Sequence, residues 1–127
     1  TCAMVMAGAA AFKAHGADSV IGFGGGAALD VAKVVGLMAT HDSDVLEYVW
    51  DHPQVRPIVN TLPYFVALPT TSGTGSEVTG IAIFDLLSLE AKTGIAAPAL
   101  RPTGPSCFRI IGCCPGSRPR RMWRQRF

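Results

Sequence analysis

The sequence predicts an α/β fold, a Rossmann-like parallel sheet with flanking helices, and three observations carry that expectation. Two short apolar runs of β type, residues 19–23 and 64–68, each lead into a glycine-rich turn. After the first turn, Leu29, Val31, Ala32, Val34, Val35 and Met38 recur at near-helical spacing. An alanine-rich segment precedes the first run. Strands and helices that alternate in this way pack as layers around one core.

Residues 4–15 read as a helix that ends at His15-Gly16, where a basic side chain and then glycine suit a C-terminus. Residues 19–23 show no polar alternation and are expected to form a strand buried on both faces of a parallel sheet. The helix over residues 27–39 follows. A short helix is expected over residues 44–50, then a connection punctuated by Pro53, Pro57 and Pro63. Residues 64–68 form the second buried strand, stopped by Pro69, and residues 70–79 a loop of glycines and hydroxyls. Residues 80–85 and 92–97 resemble two further short strands. Beyond Pro102 no apolar period is long enough for a packed element.

At 127 residues the chain suits one domain that hides about two thirds of the surface its unfolded form exposes. The net charge of +2 is unevenly spread. Residues 1–100 hold four basic and nine acidic side chains, a balance of −5, whereas residues 101–127 hold seven arginines and no acid. Cys107, Cys113 and Cys114 fall in the same basic tail, and no C-x-x-C spacing supports a zinc knuckle or a redox pair. Without a secretory framework, a cytoplasmic setting is expected. The apolar opening is too short to span a bilayer, so no membrane role is expected.

The chemistry lies in the two loops. Gly24, Gly25 and Gly26 lack Cβ atoms, so their backbone approaches a diphosphate closely, while the first amides of the following helix point at it unpaired. The spacing Gly22-x-Gly24-x-x-Ala27 satisfies a loose dinucleotide fingerprint, although the usual acidic residue at a second strand end is not identifiable. Asp30, in the first turn, suits either the helix dipole or a hydrogen bond from a neighbouring loop that holds the pocket. Lys33, three residues on, reads as a solvated ion-pair partner. The second loop offers Thr70, Thr71, Thr74 and Ser76 to ribose, phosphate or carboxamide. No Gly-Lys-Ser or Gly-Lys-Thr follows, which argues against ATP hydrolysis. His41, Asp42, Asp44, Glu47, Asp51 and His52 read as a solvated acidic face rather than a metal site, and His15 as a helix-end residue.

Two stretches, residues 24–33 (GGGAALDVAK) and 68–79 (LPTTSGTGSEVT), resemble the signature loops of the iron-containing (group III) alcohol dehydrogenases. Residues 92–95 and 98–103 match that family's next stretch, so the resemblance covers roughly residues 15–103. It implies that Gly24, Gly25 and Gly26 hold the pyrophosphate of NAD or NADP, that the Thr70-Thr71 pair lines the cofactor cleft, and that Lys92 reaches the cofactor. Ala27 stands where the family usually has serine, which removes one hydroxyl contact and leaves the backbone amides. The divalent metal of the relatives, iron or zinc, is held by an aspartate and three histidines on a C-terminal helical domain. No residue here matches those ligands, so the chain alone is expected to be inactive. For the full enzyme the resemblance implies an alcohol or aldehyde substrate and a homo-oligomer. Maleylacetate reductase and glycerol dehydrogenase relatives are alternatives within the same superfamily.

The expected organisation is therefore a dinucleotide-binding domain over residues 1–103, incomplete at its N-terminus because the chain begins at Thr1, and a tail over residues 104–127. That tail lacks the apolar strand expected after Arg101-Pro102-Thr103 and reads as frameshifted or disordered. A nucleic-acid-binding arm is the competing reading of its arginines, with no folded recognition module to support it. A non-catalytic fragment is the remaining alternative.

Overall fold

The computed structural model describes residues 1–86 and 91–103. The expected basic tail lies outside the described residues, and no helix among them is long and apolar enough to cross a membrane. Helix α1 (Cys2–Ala14) ends at His15 in the manner the sequence suggests. Strand β1 (Ser19–Gly24) leads through the glycine turn into α2 (Gly26–Thr40). The expected helix over residues 44–50 is a single 3-10 turn, Val45–Tyr48, before the proline connection returns the chain to β2 (Tyr64–Pro69). Strands β1 and β2 pair in parallel, from Ser19 opposite Tyr64 to Gly24 opposite Pro69. Strands β3 (Ile81–Leu86) and β4 (Ala91–Ala96) form a separate antiparallel pair. The architecture is α/β, a parallel pair flanked by helices, as in the nucleotide-binding part of a Rossmann-like domain.

Helix α2 is the central element because its apolar residues serve two cores. Leu29 packs with Phe65 and Ala67 of β2, flanked by Val20 and Ala32. Val34, Leu37 and Met38 pack with Val5 and Ala9 of α1, Tyr48, Ala82 and Phe84 of β3, and Ile95 of β4. Apolar groups on several sides of one helix mark burial between layers rather than a single stripe toward one core.

The parallel pair departs from the expectation of strands buried on both faces. Helix α2 covers one face, where Phe65 and Ala67 are buried, whereas Ile21 and Phe23 on the other face remain 65% and 66% exposed, and Tyr64 50%.

The connector keeps Asp42, Asp44 and Asp51 exposed, as a solvated acidic face should, but His41 departs from it. His41 is buried, its Nε2 accepting the Asn60 amide at 3.3 Å, so its Nδ1 carries the proton and donates to the Leu37 carbonyl at 3.1 Å. Asp51 accepts from the Thr93 hydroxyl of β4 at 2.9 Å. Asp42 and Glu47 do face solvent, paired with Lys13 and Arg56, and these cations hold both carboxyls below the usual carboxylate range.

Candidate functional site

Strand β1 ends at Gly24 with φ of +142°, a conformation L side chains rarely adopt, and a Cβ there would stand 2.8 Å from that of Ala28. Gly25 then caps α2 in an extended conformation, with no side chain bonded to the helix end. The Ala28 and Leu29 amides bond to the Gly25 carbonyl at 3.0 and 3.1 Å. The amides of Gly26 and Ala27 are those that a helix start leaves open to an anion.

Parallel register brings the second loop alongside. Beyond the Gly24–Pro69 pair, the Thr70 amide donates to the Gly24 carbonyl at 2.9 Å, which seats the start of the hydroxyl loop on the glycine turn. Thr71 Oγ1 lies 3.2 Å from where a Cβ of Gly25 would stand, and the Thr74 side chain lies 2.7–2.9 Å from the equivalent point at Gly26. Two loops that the sequence separates by about fifty residues thus meet at the C-terminal ends of parallel strands, where the crevice for a ligand would lie. Open α/β sheets bind ligands at that edge.

Gly24, Gly25, Gly26, Thr70, Thr71 and Thr74 come together in this crevice. Asp30 stands one turn farther along α2 and faces the hairpin: its Oδ2 accepts the Ile83 amide at 3.1 Å. Lys92 sits elsewhere, exposed on β4 and paired with Asp85 at 2.9 Å, with no hydrogen bond to the glycine turn among the described residues.

Lys33 overturns the expectation of a solvated pair. Its side chain is fully buried, and its Nζ donates to the Ile81 carbonyl at 2.6 Å and to Asp30 Oδ1 at 3.3 Å. Burial pushes its pKa below the usual lysine value of 10.5, while Asp30 and then Glu77 oppose that shift. Ser76 and Glu77, at the far end of the second loop, are also buried. Sequence reasoning placed Lys33 in solvent because a helical lysine three residues from an acid ordinarily pairs at the surface, and it assigned Glu77 no role. The available signal was apolar residues on every side of α2, which leaves its charges no route to water.

Thr103 docks against β2, its Oγ1 accepting the Phe65 amide at 2.9 Å and its own amide donating to the Phe65 carbonyl at 3.2 Å. The Arg101-Pro102-Thr103 stretch therefore lies along the edge of the parallel pair.

These donors fit a dinucleotide. Uncapped helix amides, a backbone without Cβ atoms and adjacent hydroxyls match the needs of a pyrophosphate and ribose. Metal ligands are a different matter: among the described residues, no three His, Cys, Asp or Glu side chains come together.

Comparison with known proteins gives a consistent picture. Residues 1–104 match the family model described as iron-containing alcohol dehydrogenase. The mitochondrial hydroxyacid-oxoacid transhydrogenase of Xenopus laevis is 47% identical over 90 residues, which cover 68% of this chain and 19% of that protein. The sulfoacetaldehyde reductase of Bifidobacterium kashiwanohense, solved in complex with NAD+, superposes with a TM-score of 0.64 at 29% identity, over 77% of this chain and 25% of that one. An alcohol dehydrogenase from an archaeal halo-thermophile of a Red Sea brine pool reaches a TM-score of 0.74 at 28% identity, over 81% of this chain and 27% of that one. The chain thus spans 19% to 27% of the length of these relatives.

Proposed function

We propose, since this chain belongs to the family of iron-containing alcohol dehydrogenases, that its paired loops are the dinucleotide side of an NAD(P)-linked dehydrogenase. The observation that carries this reading is the Thr70–Gly24 hydrogen bond, which joins the loops into one crevice. The Gly26 and Ala27 amides would face the pyrophosphate, with Gly24 and Gly25 letting it approach the backbone. The hydroxyls of Thr70, Thr71 and Thr74 would orient ribose or phosphate. The nicotinamide supplies hydride acceptance or donation when bound. Asp30 would serve the pocket from behind, through the hairpin, and Lys92 would reach the cofactor by leaving Asp85.

No catalytic step is assigned to the described residues, and the chain alone should be inactive because no residue matches the aspartate and three histidines that the family resemblance implies as metal ligands. For the whole protein, a homo-oligomer acting on an alcohol or aldehyde is the broad proposal. The 47% identity to a hydroxyacid-oxoacid transhydrogenase, over 19% of that protein, supports a hydroxyacid as hydride donor and an oxoacid as acceptor. The cytoplasmic setting expected from cysteine usage is proposed together with the mitochondrion, which that relative's name gives.

Titrating the full chain into NADH and NADPH tests the cofactor reading. Saturable enhancement of nicotinamide fluorescence, lost in Gly26→Val, is expected, and a flat response to both nucleotides would overturn it.

A further inference from the structure

The free edge of β3 is paired by side chains rather than by a strand. In an antiparallel pair, residues two apart present their amide and carbonyl to the same edge. Ile81 and Ile83 turn theirs away from β4, and helix α2 meets both: Lys33 Nζ donates to the Ile81 carbonyl at 2.6 Å and Asp30 Oδ2 accepts the Ile83 amide at 3.1 Å. An acid and a lysine one helical turn apart therefore reproduce the alternating acceptor and donor of a neighbouring strand. Both partners are buried, and the Lys33 side chain has no exposure at all.

The same two residues anchor the hydroxyl loop. Its beginning is fixed by β2, through the Thr70 amide on the Gly24 carbonyl. Its end runs into β3, whose core face packs on α2 through Ala82 and Phe84 and whose edge Asp30 and Lys33 bond to the same helix, and Glu77 near that end adds its charge to the field at Lys33. Both anchors belong to the strand–turn–helix unit that carries Gly24, Gly25 and Gly26, so the loop is held across the crevice at two ends. We infer that Asp30 and Lys33 are positioning residues, which clasp the β3 edge to α2 and thereby hold Thr74 over Gly26. This rests on the proposed cofactor role of the crevice, and it gives Asp30 and Lys33 a role that requires no contact with the cofactor.

Lys33→Met in the full chain tests the clasp, because methionine keeps the length of the side chain and removes the donor. Proton NMR reads the distance between the Thr74 methyl and the Gly26 α-protons, and NADH fluorescence reads affinity. The expected result is loss of the Thr74–Gly26 cross-peak with the Val5–Leu37 core cross-peaks intact, and a dissociation constant raised about tenfold. A merely structural lysine would leave the Thr74–Gly26 cross-peak in place while lowering the unfolding midpoint. Persistence of the cross-peak, or its loss at unchanged affinity, would overturn the inference. If the unaltered chain binds no NADH, the cofactor reading fails separately and the cross-peak alone decides the clasp. If Lys33→Met unfolds because it strands the Asp30 charge, D30N/K33M, which leaves no buried charge in the pair, is read in the same way.

Discussion

Gly26 is where the crevice is least tolerant of change. A Cβ there would fall within 2.7 Å of Thr74, so Gly26→Val must push the hydroxyl loop away from the helix start. Because Gly26 has ordinary helical geometry, the substitution should leave most of the fold intact. We expect NADH affinity to fall at least about tenfold, with little change in far-ultraviolet circular dichroism. Lys33 makes a pH prediction. Burial depresses its pKa below 10.5, so between that depressed value and 10.5 the unfolded chain holds a proton that the folded chain has released. Stability therefore rises with pH through this window, and below it the buried ammonium exerts its full desolvation cost. In urea titrations, the midpoint of the unaltered chain should gain on that of Lys33→Met as pH approaches 10.5. A constant gap between the two would contradict the burial account. At this scale the glycines and threonines were legible in sequence, because a turn without Cβ atoms and a run of hydroxyls carry their chemistry in their composition. The burial of Lys33 was not, since a helical lysine three residues from an acid looks alike whether water or β3 lies beside it; for Asp30 a hydrogen bond from a neighbouring segment was expected, though not that β3 donates it.

Among the elements, α2 bears the most, standing between the parallel pair on one side and α1 with the hairpin on the other. Leu29, fully buried against Phe65 and Ala67, should lose about 2–5 kcal/mol on substitution by alanine, read by chemical denaturation. A cost below about 0.5 kcal/mol, typical of a surface site, would mean that the sheet does not rest on this helix. The period of α2 was visible in sequence, as were β1 and β2. The partnering of β3 and β4 was not assigned, although β3 alternates buried Ala82 and Phe84 with outward Ile81, Ile83 and Asp85. That alternation belongs to an antiparallel pair covered on one face, unlike the unbroken apolar run expected in the interior of a parallel sheet.

At the scale of the whole molecule, the parallel pair is covered on one side among the described residues. Ile21, Phe23 and Tyr64 form an exposed apolar face, which a parallel sheet ordinarily buries. In this chain, Ile21→Thr with Phe23→Ser should change stability by less than about 0.5 kcal/mol and should reduce binding of a hydrophobic dye. A large loss of stability would show that another part of the chain covers the face. This exposure was not legible in sequence, because apolar composition records that a strand is suited to burial without recording whether a covering layer is present.

The claim beneath the rest is that the glycine turn and the hydroxyl loop act on one dinucleotide together. Amide-resolved NMR during titration of the full chain with NAD+ addresses it most directly. The account predicts that the Gly26, Ala27, Thr70, Thr71 and Thr74 amides move together and saturate with one shared dissociation constant, while the α1 amides stay in place. Shifts confined to one loop, or clustered on α1 and the connector, would contradict it.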